Sequence, residues 1–309
     1  MKTQTAFRFT QLPKAFLMVA LATSASRLHA HDHMPAGATS SNPGATLEYD
    51  PTAEDFTTNS GWVFGLNSSA AGDPYAGAYW TDDAVFIALA ATPNNGGPEP
   101  GHAALGTYIQ VKLLDVEGPV GATFNFYESA GPGTDGEGID GTNLTWSVTV
   151  PYHNGTNLIN VSESDGSPGS DPYGHIHGRV YSFSKPGYYT ATWQFVDTST
   201  NGPSGGPVDL ASTPFTLQYQ ADLVIDGIAI GTNGVSLVFA APSLLPDDAG
   251  PGTEPATYTV LASPGLGSGA DWQQVGDVIN GDDLMHTVTV PLSGPVQFFR
   301  LSAIYPSGN

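Results

Sequence analysis

The sequence predicts an all-β protein made of two antiparallel β-sandwich domains that follow an N-terminal signal peptide. Glycine (38 residues) and proline (25 residues) recur too often among the 309 residues for long helices. Between these breaks lie short runs rich in threonine, valine and aromatic residues, in which apolar and polar side chains alternate. No stretch after residue 30 keeps the spacing of an amphipathic helix, so we expect strands throughout.

Residues 1–30 have the pattern of a secretory signal peptide. Three basic residues precede an apolar run at 15–25, which is too short for a membrane span of about 20 residues. Cleavage after Ala30 would leave His31 as the first residue; cleavage after Ala25 and an uncleaved anchor are the alternatives. We therefore expect a secreted or envelope-associated protein, with no transmembrane segment in the mature chain.

The first domain is predicted to cover residues 31–220. Its predicted strands are Val85–Ala91, Thr107–Asp115, Ala122–Tyr127, Thr145–Pro151, Arg179–Ser184, Tyr188–Asp197 and Phe215–Gln220. The clearest is Tyr188–Asp197, where aromatic residues and alanine alternate with threonine and glutamine, as in a half-buried antiparallel strand. The pair Pro186-Gly187 predicts a hairpin between this strand and Arg179–Ser184.

The second domain is predicted to cover residues 221–309, after a boundary at Gln220-Ala221-Asp222. A strand at Leu223–Ile230, a turn at Gly231–Gly234 and a strand at Val235–Ala240 predict a hairpin. The remaining predicted strands are Tyr258–Ala262, Trp272–Val275, His286–Val290 and Gln297–Ala303. About six strands in so short a stretch match a small fibronectin-type sandwich.

The charge of the chain limits its partners. The formal net charge is −21, and all 29 acidic residues follow residue 30. The basic residues that follow residue 30 are Lys112, Arg179, Lys185 and Arg300. Such a chain repels phosphate backbones, which excludes nucleic acid and favours cations as partners. Solubility of a secreted protein is the simpler interpretation. The absence of cysteine excludes disulfides and thiol chemistry.

Two His-x-His motifs are the strongest candidates for a site. They are His31-Asp32-His33 and His175-Ile176-His177. Residues two apart in a strand project to one face, roughly 7 Å from each other, so each motif can offer two imidazoles to one ion. Together they could form a four-nitrogen site for zinc or copper. A single His-x-His is a weak signal, and solvated or structural histidines stay as the alternative.

A copper oxygenase is the one catalytic alternative that the sequence raises. If cleavage exposes His31, its amine and imidazole and one further histidine could hold copper, as in secreted copper polysaccharide oxygenases. The chain resembles these enzymes only in being a secreted β-sandwich with an N-terminal histidine. No Gly-x-Ser-x-Gly motif is present, and 29 acids do not single out a glycosidase pair. We therefore favour a non-catalytic protein.

Two further ligand classes are suggested by loops. Glycine-rich acidic loops at 135–140 and 163–171 could hold calcium, although neither has EF-hand spacing and solvated turns are the alternative. The aromatic residues Trp62, Tyr75, Tyr79 and Trp80 could form a carbohydrate-binding module. Aromatic residues in strands are, however, more often part of the core.

One segment resembles a known family. The stretch from Gly174 to Phe195, with its His-x-His, Lys185-Pro186-Gly187 and Tyr-Tyr-Thr-Ala-Thr-Trp, is similar to the surface-anchored protein repeat of "choice-of-anchor M" proteins. The segment 162–179 resembles exported proteins of Verrucomicrobia-like bacteria, and the second domain resembles their fibronectin-like modules. The resemblance implies a β-sandwich at the envelope or outside the cell, with His175 and His177 as the family's paired histidines. The partner would be a metal cation, or an extracellular matrix or cell-surface component. The chain lacks the family's C-terminal apolar helix and basic tail, so free secretion is an equal expectation.

Overall fold

The computed structural model describes residues 32–49, 63–68, 75, 78–82, 84–91, 101–128, 142–153, 155–176, 178–243, 256–266, 269–291 and 297–304. Within these ranges the protein has twenty strands and no helix, which confirms the all-β class. The strands are β1 (Asp32–Ala38), β2 (Leu47–Tyr49), β3 (Phe64–Ser68), β4 (Tyr79–Thr81), β5 (Ala84–Ala88), β6 (Ile109–Glu117), β7 (Thr123–Glu128), β8 (Asn143–Thr149), β9 (Asn157–Asn160), β10 (Gly174–His175), β11 (Arg179–Phe183), β12 (Gly187–Asp197), β13 (Phe215–Ala221), β14 (Gly227–Gly231), β15 (Gly234–Ala241), β16 (Thr257–Ser263), β17 (Gln273–Gln274), β18 (Ile279–Asn280), β19 (Leu284–Val290) and β20 (Phe298–Ile304). None of the described segments forms a helix able to span a bilayer.

The first domain is built on a nine-stranded sheet folded into two layers. The strand order is β8-β7-β11-β4-β3-β13-β12-β6-β9. Strand β3 joins the layers, because Phe64–Leu66 pairs in parallel with β13 whereas Asn67 and Ser68 pair with β4. A second sheet, in the order β10-β5-β1-β2, also packs on β12 and β13. The contact is made by Phe86 of β5, whose ring lies 5.4 Å from that of Trp193.

Strand β12 lies at the centre of this core. Its residues alternate strictly between buried and half-buried positions along all eleven residues, as its sequence predicts. The ring of Tyr189 lies 4.2 Å from that of Phe183, and the ring of Trp193 lies 6.1 Å from those of Phe124 and Tyr181. Tilted and edge-to-face aromatic pairs of this kind add to the free energy gained by burial.

The predicted hairpin between Arg179–Ser184 and Tyr188–Asp197 is wrong. Strand β11 pairs with β4 and β7, whereas β12 pairs with β6 and β13. The turn therefore carries the chain from one layer to the other. Gly187 permits this crossing with a φ of 138°, at a point where a Cβ would lie 2.5 Å from Pro119. A Pro-Gly break between two alternating runs does not distinguish such a crossing from a hairpin.

The second domain has a separate core. Its two sheets are β14-β15-β19 and a sheet in which β16 pairs with β17, β18 and β20. Their apolar faces meet at Leu237, Phe239, Tyr258 and Val260. The predicted hairpin of β14 and β15 is present, with Gly231 opposite Gly234.

Candidate metal-binding sites

The two segments that carry the His-x-His motifs lie on either side of strand β5. Strand β1 pairs in parallel with β5 and places position 33 opposite Val85. Strand β10 pairs antiparallel with the other edge of β5 and places His175 opposite Ile87. Residues two apart on β5 share a face, so positions 33 and 175 belong to the same face of this sheet. They come from segments 142 positions apart in the sequence.

The position of β10 is fixed by its backbone. The N–H of His175 donates a hydrogen bond to Oε1 of Glu163 at 2.8 Å. Gly174 lies so close to the segment that follows β9 that a Cβ would be 1.9 Å from the carbonyl oxygen of Val161. Only glycine fits this approach, and His175 is thereby held beside β5.

The other histidines of the two motifs, His31 and His177, lie outside the described residues, as does the predicted signal peptide. Only the backbone of His33 is described, and His175 is half-buried. The structure therefore brings the two segments to one sheet, and the joint ligation by His31, His33, His175 and His177 stays a prediction.

A second candidate is a surface cluster of Asp115, Glu117 and His153. One ligand atom from each residue lies within 4.8 Å of the others, and no other such group of three occurs in the described ranges. Asp115 and Glu117 flank the buried Val116 at the end of β6. Tyr152 exchanges backbone hydrogen bonds of 2.8 and 2.9 Å with Val116, which places the next residue, His153, beside both carboxylates.

The imidazole of His153 interacts with both acids. Its Nδ1 is hydrogen-bonded to Oδ2 of Asp115, and its Nε2 lies 3.6 Å from Oε1 of Glu117. The hydrogen bond with Asp115 is the main reason why the pKa of His153 is raised above 6.5, and the charges of both acids add to it. A metal ion needs the neutral imidazole, so it must compete with a proton that the two carboxylates stabilise.

The sequence does not single out this cluster, because His153 has no histidine partner nearby in the chain. Asp115 and Glu117 do carry a weak signal, since two acids with i, i+2 spacing in a strand share a face. The turn that returns His153 to the same face carries no such signal in the sequence.

The carboxylates of the acidic loop at 163–171 accept hydrogen bonds from backbone N–H groups. Glu163 accepts from His175, Oδ1 of Asp165 accepts from the N–H of Ser167 at 3.0 Å, and Oδ1 of Asp171 accepts from the N–H of Ala91 at 2.9 Å. The bond from Ser167 closes a turn, and the other two join separate segments of the chain. The three carboxylates do not form a convergent group of ligands among the described residues, as calcium would require. The other predicted calcium loop, 135–140, lies outside the described residues.

Two of the aromatic residues considered for sugar binding are buried. Tyr75 and Trp80 are 2% and 8% exposed and pack together with Val180. The hydroxyl of Tyr79 donates to Oδ2 of Asp222 at 3.1 Å. Trp62 lies outside the described residues. Tyr75 and Trp80 therefore belong to the core and offer no exposed stacking surface.

Comparison with known proteins gives no relative. No family model matches the chain, and no significant match is found among curated proteins or solved structures. The resemblance to the surface-anchored protein repeat and to fibronectin-like modules consequently stays a prediction.

Proposed function

We propose that the chain is an exported binding protein of the cell envelope or extracellular space, and that its first domain captures a zinc or copper ion. The ligands would be His33 of β1 and His175 of β10, with His31 and His177 as the second member of each pair. The observation that carries the proposal is the register of β1 and β10 on the two edges of β5.

The geometry of a sheet sets the distance that such a site must bridge. Two strand spacings of about 4.8 Å and an offset of two residues separate the Cα atoms of His33 and His175 by about 12 Å. This is close to the limit that two imidazoles can span through one ion. A second histidine from each motif would relieve this demand and complete the four ligands that zinc prefers.

The mechanism is capture rather than catalysis. A bound ion would fasten the N-terminal strand β1 to β10 across β5, and so join the beginning of the described chain to the segment before β11. An acidic protein concentrates cations near its surface, which favours their arrival. An extracellular or cell-surface macromolecule is the remaining partner class.

The cluster of Asp115, Glu117 and His153 is a second place for a metal ion. Two carboxylates and one imidazole suit zinc, but His153 is 59% exposed and already engaged with both acids. We expect it to bind more weakly than a four-histidine site, and increasingly as the pH rises above the pKa of His153.

The test is calorimetric titration of the secreted protein, stripped with chelator, with zinc and with copper(II). Calcium serves as a parallel control. The double variant His33→Ala, His175→Ala is compared with His153→Ala, which removes the single histidine of the alternative cluster and leaves β5 untouched. One-to-one binding that is lost only in the double variant supports the proposal.

Two results would reject it. Binding that survives in the double variant and disappears in His153→Ala assigns the ion to the surface cluster instead. No saturable binding of either metal removes the metal function and leaves a scaffold or adhesion role. N-terminal sequencing of the secreted chain tests the copper oxygenase alternative, because any start other than His31 eliminates it.

A further inference from the structure

Strand β14 exposes apolar side chains at an edge of the second domain. It is the first strand of the sheet β14-β15-β19, so one side of its backbone is unpaired among the described strands. Ile228 and Ile230 of this strand are 64% and 79% exposed. No other two exposed large apolar residues of the described chain lie two apart on one strand.

The two isoleucines lie on the core face of their sheet. Ile228 is opposite Leu237 of β15, and Ile230 is opposite Val235. Leu237 and Val235 are both buried in the core of the second domain. Because residues directly opposite each other in an antiparallel pair project to the same face, the apolar core face continues onto β14, where it is left exposed.

Strand β14 lacks the features that usually protect an edge. Edge strands commonly carry lysine or proline, or a bulge, and these prevent pairing with another chain. The segment Gly227–Gly231 contains no charged residue and no proline, and its pairing with β15 has no shift in register. The free side of β14 can therefore accept a further strand.

We propose that two copies of the chain pair through β14 about a two-fold axis, with Ala229 opposite Ala229 of the partner subunit. The strand sequence, Gly-Ile-Ala-Ile-Gly, reads the same in both directions. An antiparallel pair centred on Ala229 thus places Ile228 opposite Ile230 of the partner subunit, and Ile230 opposite Ile228 of the partner subunit. A two-fold interface requires this kind of self-complementarity, which is the reason to prefer a second copy as the occupant.

This pairing joins the two apolar core faces into one. Each row across the interface contains Leu237 and Ile228 of one subunit, followed by Ile230 and Val235 of the partner subunit. The unpaired N–H and C=O groups of both β14 strands gain hydrogen bonds, and the two three-stranded sheets become one of six strands. Each β14 has a single free side, so this contact closes at two chains and does not build a fibre.

The contact is small, so the dimer is weak. Two short strands bury less than the about 1,200 Å² of total surface found in stable interfaces. The chain carries a formal net charge of −21, so two copies also repel each other. We therefore expect the dimer to form at high concentration and to be strengthened by salt, which screens this repulsion. An unfolding titration at low concentration observes the single chain.

The experiment is sedimentation equilibrium of the purified full chain, in chelator, from about 5 µM to about 1 mM. Chelator keeps the test independent of the metal site on β5. We expect the average mass to rise from that of one chain toward that of two, and the rise to begin at lower concentration in high salt. A single-chain mass throughout, growth beyond two chains, or weaker association in salt would overturn the proposal.

Two lysine substitutions locate the contact. Ile230→Lys places a charge on the pairing edge and should weaken association by at least about tenfold. Ile304→Lys is the matched control, because Ile304 is 69% exposed on β20, in the other sheet of the second domain. Both positions are exposed, so both variants should keep the stability of the wild type. Equal association of the two variants would show that β14 is not the interface.

Cysteine substitution tests the register of the pairing, because the chain has no cysteine of its own. Opposite residues of antiparallel strands have Cα atoms about 4.5–5.5 Å apart, which a disulfide can bridge. Ala229→Cys should therefore oxidise readily to a covalent dimer. In Gly231→Cys the two sulfur-bearing residues would lie about 14 Å apart along the strands, and only an ordinary contact of 3.9 Å awaits the added Cβ. Equal yields of covalent dimer from the two variants would exclude the proposed axis.

Discussion

The backbone N–H of Val63 donates a hydrogen bond of 2.8 Å to the carbonyl oxygen of Asp283. This bond joins the segment before β3 to the segment before β19, and so links the first domain to the second. Asp226 lies in the connection between β13 and β14, and the partial loss of hydration of its carboxyl group on folding is the main cause that raises its pKa to about 6. The connection therefore contains a carboxyl group whose ionised form is disfavoured by folding.

The first prediction concerns the pH dependence of stability at this connection. The pKa of Asp226 is higher in the folded chain, about 6, than its ordinary value of 3.8. The folded state thus binds the proton more tightly, and the contribution of this group is most favourable below pH 4 and declines as the pH rises to 6. Asp226→Asn, which resembles the protonated form, should therefore raise the urea midpoint more at pH 7 than at pH 4.

Asp165→Asn is the control for this prediction, because hydrogen bonds with Ser167 lower the pKa of exposed Asp165. Its ionised form is favoured by folding, so the substitution should not stabilise the chain at pH 7. An Asp226→Asn variant whose advantage is the same at both pH values would show that burial does not shift this group.

The second prediction concerns His153. Since its pKa is raised in the folded chain, its interaction with Asp115 stabilises the fold below pH 6.5 and is lost as the pH rises through the folded pKa. We expect the imidazole signal of His153 to titrate above 6.5 in NMR. Asp115→Asn should lower this pKa more than Glu117→Gln, because the hydrogen bond to Asp115 is the largest cause. Equal effects of the two substitutions would contradict the geometry.

The third prediction concerns the backbone that holds β10. Gly174→Ala would place a methyl group 1.9 Å from the carbonyl oxygen of Val161, so the strand must shift away from its neighbour. We expect a loss of about 1–3 kcal/mol in the free energy of unfolding, together with weaker binding of zinc or copper. Gly206→Ala is the matched control, because nothing lies within 4 Å of its added Cβ. A Gly174→Ala variant as stable as Gly206→Ala would disprove the clash.

The sequence predicted individual strands better than their partners. Alternation in Tyr188–Asp197 identified β12 almost to the residue, since one face of that strand is buried along its whole length. The pairing of strands depends on which apolar faces fit together in space, and a local sequence pattern does not contain this information. For this reason the Pro-Gly break predicts a hairpin that the structure does not contain, and no local pattern indicates the parallel pairing of β1 with β5.

The candidate sites show the same difference: local spacing can be seen in the sequence, whereas contacts between distant segments cannot. Spacing identifies the histidines two apart in the chain, but it does not indicate that strand β5 lies between the two motifs. The cluster of Asp115, Glu117 and His153 depends on the backbone bridge between Val116 and Tyr152, a contact over 36 positions.

The fourth prediction concerns the aromatic core. Trp193 is fully buried, and its ring contacts those of Phe86, Phe124 and Tyr181. Trp193→Ala should lower the free energy of unfolding by about 3–5 kcal/mol in urea titrations, because it leaves a large cavity between the layers. Ile230→Ala removes an apolar side chain that is 79% exposed and should change stability by no more than about 0.5 kcal/mol. Similar losses in the two variants would place Trp193 outside a packed core.

The fifth prediction concerns Asp197, whose carboxylate organises the loop after β12. Its oxygens accept from the backbone N–H groups of Tyr108, Ser199, Val208 and Asp209 at 2.6–3.0 Å. Asp197→Ala would leave these donors without their acceptor, and each buried unsatisfied group costs about 1–3 kcal/mol. We expect a total loss of at least about 3 kcal/mol.

Hydrogen exchange is the sharper measurement for Asp197, because it reports on the loop directly. The amides of Val208 and Asp209 should lose protection in Asp197→Ala, while those of β7 exchange only as fast as the lowered global stability allows. Asp165→Ala serves as the control, since its carboxylate serves an exposed turn and its removal should leave the Val208 and Asp209 amides protected. If these two amides keep their protection in Asp197→Ala, the loop is held by other contacts, and the carboxylate has no structural part in it.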